Sequence, residues 1–376
     1  MSKTSIPAPI KNQLLVKSGG RCQYRGCNIS LYDDIITKRT FNKSYIAHIV
    51  ADEPGGPRGD AIRSHQLSKS LSNLMLLCDQ CHRRIDKIDV AGHPETLLLE
   101  MKKEHEERIE RNTAIAPNMV SHILTYKANV GQFTPEMSYQ TVSQFLMPSY
   151  YPAIADTIDL SLSNSIQRDR DTTFWSTEVE NLQAQFNKKL SQNFAKGEIK
   201  HLSVFAFAPI PLLIKLGTLI NDIYTANIHQ KVRDPDTWNL DDDTTEVKYT
   251  EIEPEKKHNK VALNISLSAT ITNDRITQVL GDDCDIYTIT IDKPFNDYLK
   301  SKRHLKDFSV VIRLLFNRIK TKYGASTPLH VFPSMPIATA IELGRVWMPK
   351  ADMPLYLYDQ NTANNGFTKV IEIINN

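Results

Sequence analysis

Two modules of different class are expected from the sequence: a small α+β module stapled by metal over residues 1–111, and an α/β module over 136–376, joined through 112–135. Three observations lead there. Four of the five cysteines stand in two close pairs, Cys22 with Cys27 and Cys78 with Cys81, the donor pattern a tetrahedral Zn²⁺ asks for. From about residue 136 apolar strands alternate with amphipathic helices, the pattern of a parallel sheet. The chain, at 376 residues, is too long for one ordinary core.

The elements follow in order. Residues 1 to about 92 are short segments rich in Gly, Cys and His, and YIAHIV reads as a strand ending near His48. His82 opens a short helix, and Pro94 and Glu95 start a longer one to about Arg111, with opposite charges three and four apart in KKEHEERIER. The connecting segment contains Pro117, Gly131 and Pro135. Beyond it HLSVFAFA, VALNISLSAT, DIYTITI and LHVFPS read as strands, and MPLYLYD as the last one. LLIKLGTLINDIY, FSVVIRLLFNRIKTKY and IATAIELGRVW read as helices. The segments FAPIP and FPSMP each follow a strand and lead to a helix bearing Leu-Gly, at Leu216-Gly217 and Leu343-Gly344. That repetition suggests an internal duplication with a ligand between the halves.

Composition narrows the class further. The formal charge is +2, with 18 Lys and Arg against 14 Asp and Glu over residues 1–111 and a slight acidic excess beyond, compatible with nucleic acid at the N-terminal end. The start MSKTSIPAPIKNQ lacks a signal-peptide pattern, and the longest apolar run is broken by Pro209, Pro211, Lys215 and Gly217, so no membrane span is expected. Cysteines in knuckle pairs suit a reducing cytoplasm, with Cys284 an ordinary thiol.

Between the cysteine pairs lie the residues of a reactive centre. His82 and Asp86, four apart on a helix, share a face and could both reach one divalent ion. A strand-borne His48 could take a proton from a water attacking phosphorus, and Mg²⁺ or Mn²⁺ would neutralise charge on the phosphate. Asn73 would orient the backbone or His48, or bind the metal; Arg58, in PGGPRGD, is placed to contact phosphate. His65, His93 and His105 lack such context and read as surface residues.

This arrangement resembles the HNH endonucleases of the ββα-metal type: His48, Asn73 and His82 stand as the three named letters in order. The resemblance implies a zinc-stabilised ββα-metal domain in which His48 is the general base, Asn73 supports the site and His82 binds the catalytic ion. Many members carry an Asp or His ligand just before the base, where this chain has Ala47; Asp86 is the expected second ligand, with Asn73 the alternative.

FAPIPLLIKLG, SLSATI and FPSMPIATAIELGR are similar to the SAVED domain, a fused pair of Rossmann-like halves related to CARF sensors. The whole chain therefore resembles the HNH–SAVED effector nucleases of CBASS anti-phage defence. That implies activation by a cyclic di- or trinucleotide, double-stranded DNA as substrate, and a ligand-promoted homo-oligomer, dimer or tetramer. Trp175 and Trp238 are candidates for base stacking and Gln230, Arg233 and Lys248 for phosphate. Pro209, Ser268, Thr270, Ser334 and Met335 lie on strand-end loops, where open α/β sheets bind ligands. Trp347 is left to the core. Two other readings stay open: a ligand-sensing, zinc-stapled DNA-binding protein without cleavage, and a ligand-independent restriction-type nuclease.

Overall fold

The structure is a computed structural model that describes residues 4–33, 39–116, 118–130, 137–162, 167–240, 245–255, 257–361 and 366–374. Its chain divides into two compact units, Met1–Ala116 and Pro117–Asn376.

In the first unit α1 (Ala8–Ser18) ends at Gly19, whose left-handed φ of 58° closes the helix. The strand β1 (Ser44–His48), the short helix α2 (Arg63–Leu67) and the strand β2 (Leu74–Cys78) follow. β1 and β2 pair antiparallel, Ser44 opposite Cys78 and His48 opposite Leu74. β2 runs straight into α3 (Asp79–Arg83), which continues as a π-helical turn over Arg84–Ile88. The long α4 (Glu95–Thr113) closes the unit, burying Leu98, Met101, Lys102 and His105. Its core is small: Leu14, Ile49, Leu74, Leu76, Ile85 and Leu98 pack with Cys22, Cys78 and Cys81. A core of that size gains much from a metal staple.

The second unit carries two sheets. Its elements are β3 (Val120–Lys127), α5 (Tyr139–Val142), β4 (Tyr151–Asp159), α6 (Phe174–Phe186), α7 (Gln192–Ala195), β5 (Leu202–Phe207), α8 (Ile210–Ile220) and β6 (Ala226–Ile228). β7 (Thr250–Ile252), β8 (Lys260–Ser266), α9 (Asn273–Leu280), β9 (Cys284–Thr290), α10 (Lys302–Tyr323), β10 (Leu329–Ser334), α11 (Ile337–Val346), β11 (Leu355–Asn361) and β12 (Gly366–Ile373) complete it. The first sheet, β4-β3-β5-β6, is parallel throughout. The second runs β12-β11-β10-β8-β9-β7, parallel at its centre and antiparallel at both edges. No helix among the described residues is long and apolar enough to cross a membrane.

Two expectations change. The segment 112–135 is not all connection, because β3 lies within it and pairs with both β4 and β5; Pro117, Gly131 and Pro135 fall outside the described residues. MPLYLYD is not the last strand either, since β12 returns antiparallel to β11. Trp347 is buried in the core as expected, its Nε1–H donating to the Met353 carbonyl.

The repeated Leu-Gly pairs find their reason where α8 crosses α11. A Cβ on Gly217 would stand 2.0 Å from the Ile341 carbonyl oxygen, and one on Gly344 2.1 Å from that of Ile214. Each glycine lies against the other, so α8 and α11 meet backbone to backbone. In an exposed helix Gly→Ala is favourable by about 1 kcal/mol; here the clash is with backbone and outweighs that gain. Gly217→Ala or Gly344→Ala is expected to destabilise the second unit by about 1–3 kcal/mol, read as a fall of several degrees in its calorimetric transition. An unchanged transition would show that the crossing tolerates a wider separation.

Candidate functional site

The two cysteine pairs come together. The Sγ atoms of Cys22, Cys27, Cys78 and Cys81 all lie within 4.8 Å of one another, and Cys27 and Cys78 are 3.9 Å apart. Zn–S bonds of 2.3 Å make the edge of a tetrahedron about 3.8 Å, so this donor set could hold one ion. Local structure builds it: Gln23 accepts from the Leu76 amide at 2.7 Å and its own amide donates to the Leu76 carbonyl. The first knuckle is thereby pinned to β2, whose Cys78 amide points at Cys22 Sγ, 3.4 Å away. Burial pushes the Cys22 thiol up to about 12 and raises Cys81 as well. Thiols so raised ionise readily only beside a cation.

The strands β1 and β2 and the helix α3 carry or flank the other named residues. His48, at the end of β1, is 7% exposed, and its Nε2 lies 2.8 Å from the Ser68 carbonyl oxygen. A carbonyl only accepts, so Nε2 is the donor, and Nδ1 is the nitrogen that an uncharged imidazole would leave with its lone pair. Asn73 is fully engaged with backbone: its Oδ1 accepts from the Val50 amide and its Nδ2 donates to the Val50 carbonyl, both at 2.8 Å. It braces the chain just after His48, the orienting role considered for it, and its side chain is turned to backbone rather than to a metal.

His82 stacks on Tyr45, ring centroids 5.2 Å apart, and its Nε2 is 3.1 Å from Asp86 Oδ2. Adjacent ligands on an octahedral ion with bonds near 2.1 Å stand about 3.0 Å apart, so the pair fits a shared divalent cation. Among the described residues no third His, Cys, Asp or Glu joins it, and Ala47, buried opposite Met75, offers no donor. An ion held by two side chains would fill its other positions with water and phosphate oxygens. Burial raises the Asp86 carboxyl, but hydrogen bonds from His82 and Arg58 and the Arg58 charge hold it below the usual range.

Arg58 is not turned out to meet phosphate. Its side chain is 8% exposed, with Nε donating to the Ile49 carbonyl at 2.6 Å, Nη1 to that of Ile85 at 2.8 Å and Nη2 to Asp86 Oδ1 at 2.6 Å. A buried guanidinium has to satisfy its donors inside the fold, and no sequence signal in a Gly- and Pro-rich loop marks it. Nor are His93 and His105 surface residues. Each is 5% exposed: His93 bonds Tyr24 and the Asp89 carbonyl, and His105 the Ser18 carbonyl, so both pack the knuckle and α1 in place.

In the second unit the candidates divide. Ser268 donates its amide to the Ser334 carbonyl at 2.8 Å, and Gln230 accepts from the Ala338 amide at 2.9 Å, capping the first turn of α11. Gln230, Ser268, Ser334 and Met335 therefore gather at the start of α11, while Pro209 caps the start of α8. Trp238 is 6% exposed and packs edge-on to Phe205. It lines a cavity of about 330 Å³ with Ser203, Asn227, His229 and Lys302. Trp175 sits apart, at the start of α6, donating to the Asp169 carbonyl. Arg233, Lys248 and Thr270 are exposed.

The profile of the SAVED family, described as the SMODS-associated and fused to various effectors sensor domain, matches residues 182–373. The chain belongs to the SAVED family. Among solved structures it is similar to the Acinetobacter baumannii Cap4 SAVED/CARF-domain containing receptor with the cyclic trinucleotide 2'3'3'-cAAA, at 13% identity and a TM-score of 0.44 over 74% of this chain and 55% of that one. With 3'3'3'-cAAA the same receptor matches at 13% identity and a TM-score of 0.43, over 74% and 62%. The Moraxella osloensis Cap4 SAVED/CARF-domain containing receptor matches at 12% and 0.41, over 74% and 58%. The chain thus spans little more than half the length of these receptors. No curated protein matches it.

Proposed function

We propose that this SAVED protein is a metal-dependent DNA endonuclease switched on by a cyclic di- or trinucleotide, an effector of CBASS-type anti-phage defence. One observation carries the nuclease half: His48 ends a strand paired with β2, which leads into the helix of His82 and Asp86, and its hydrogen bond to the Ser68 carbonyl leaves Nδ1 free to accept a proton. His48 takes the proton of the attacking water, Asn73 keeps the backbone after His48 in place, and His82 with Asp86 holds the ion. A bound Mg²⁺ or Mn²⁺ would supply charge neutralisation at the phosphate. The cysteines hold a structural Zn²⁺ that fixes β2 and α3 against the first knuckle.

Membership of a sensor family supports the switching half. A nuclease able to cut its host's DNA has to rest inactive, and a ligand shifts that equilibrium only through a difference in affinity between the two states. We place the ligand at the strand ends that lead to α8 and α11, near Pro209, Gln230, Ser268, Ser334 and Met335, and assign the active form to a ligand-promoted homo-oligomer.

The test is plasmid cleavage by full-length protein with Mg²⁺ or Mn²⁺ and a panel of cyclic di- and trinucleotides, alongside calorimetric titration. Cutting is expected with one class of activator and not without it. Binding with no cutting would favour a DNA-binding sensor, and cutting without any nucleotide a restriction-type nuclease.

A further inference from the structure

Arg58 is held with more care than a surface loop requires. Its φ of 56° is left-handed, a conformation uncommon for a residue with a side chain. The loop around it is wound tightly: a Cβ on Gly59 would stand 2.4 Å from the Pro54 carbonyl oxygen, and one on Gly56 2.5 Å from the Ala51 Cβ. Strained conformations persist where the surroundings over-determine them, and they cluster at functional sites.

The contacts of the guanidinium give that strain a purpose. Ile49, whose carbonyl accepts from Nε, directly follows His48; Ile85, whose carbonyl accepts from Nη1, directly precedes Asp86, whose Oδ1 accepts from Nη2. One planar group therefore spans the end of the base-bearing strand and the turn carrying the carboxylate. With Oδ1 occupied by Arg58, Asp86 has Oδ2 turned to His82. Five donors in a fixed fork suit this task, and a lysine ammonium cannot reproduce the fork.

We propose that Arg58 is the positioning residue of the cleavage centre: it sets the spacing between His48 and the His82–Asp86 pair and presents a single oxygen of Asp86 to the divalent ion. Arg58 touches neither substrate nor ion and acts through its neighbours. This rests on the nuclease reading.

Mn²⁺ titration of zinc-loaded, full-length wild type, Arg58→Gln and Arg58→Lys, followed by the electron paramagnetic resonance signal of free Mn²⁺, tests it. Outer partners of metal ligands are worth roughly 10–100-fold in metal affinity, and Arg58→Gln is expected to weaken Mn²⁺ binding by that factor. Its zinc content and circular dichroism should stay those of wild type. Arg58→Lys keeps the charge beside Asp86 but cannot reach both carbonyls, and is expected to fall between; it decides the matter if the glutamine variant does not fold. Plasmid cleavage by either variant should shift to higher Mn²⁺ in parallel. Folded variants that bind Mn²⁺ within twofold of wild type would leave Arg58 a core staple and overturn the inference alone. A wild type that binds no Mn²⁺ beyond its zinc would overturn the nuclease reading and the inference with it.

Discussion

Full-length protein carrying His48→Ala is expected to lose DNA cleavage while keeping its zinc and its affinity for the activating nucleotide. A positioned general base contributes about 10²- to 10⁴-fold, and three of the other imidazoles described in the first unit are already engaged. His93 and His105 are committed to Tyr24, Asp89 and Ser18, and His82 faces Asp86. His48 is nearly buried, so the alanine variant also loses packing. His48→Gln separates the two effects: its side-chain amide can still donate to the Ser68 carbonyl, but it has no basic nitrogen. Both variants should be inactive, with the glutamine variant melting closer to wild type. Cleavage by His48→Gln within tenfold of wild type would remove His48 from the chemistry.

What could be read from the sequence depended on whether a residue's partner lay nearby along the chain. The cysteine pairs and the strand ending at His48 carry their pattern in a few residues, and they stand where the spacing put them. The central strands β5, β8 and β10 are apolar enough to be recognised alone, as buried strands are. β3 was hidden for the opposite reason: VSHILTYK alternates only in part, between stretches without pattern, and it becomes a strand by pairing with β4 and β5 on either side.

Polar residues were the least legible. Arg58 lies nine residues beyond Ile49 and 28 before Asp86, and only the closed loop shows that one guanidinium serves both. Gln230 caps a helix more than a hundred residues away. A side chain satisfied over such separations cannot be told from a solvated one by composition. The glycine pair was legible as a repeat, whereas its cause, two backbones in contact, required the fold.

Removal of the structural ion should have the largest effect on stability, and it should be confined to one unit. Binding of Zn²⁺ by cysteine sets in small domains is worth about 10–16 kcal/mol in apparent terms, comparable to the whole stability of a domain, about 5–15 kcal/mol. Cys22, Cys78 and Cys81 are themselves part of the core of the first unit, and burial resists ionising Cys22 and Cys81. Without an ion the four sulfurs have no attraction to hold them together, and β2 loses its tie to the first knuckle. Stripping zinc with a strong chelator, or the Cys78→Ser substitution, is therefore expected to abolish the thermal transition of the first unit. The transition of the second unit, whose core contains none of these cysteines, should remain, and with it nucleotide binding. Restoring Mg²⁺ alone should not recover cleavage, because a hard cation prefers oxygen and does not replace Zn²⁺ on thiolates; restoring both ions should. Zinc-free protein with both transitions intact would mean that the apolar core of the first unit holds β1, β2 and α3 together without a staple.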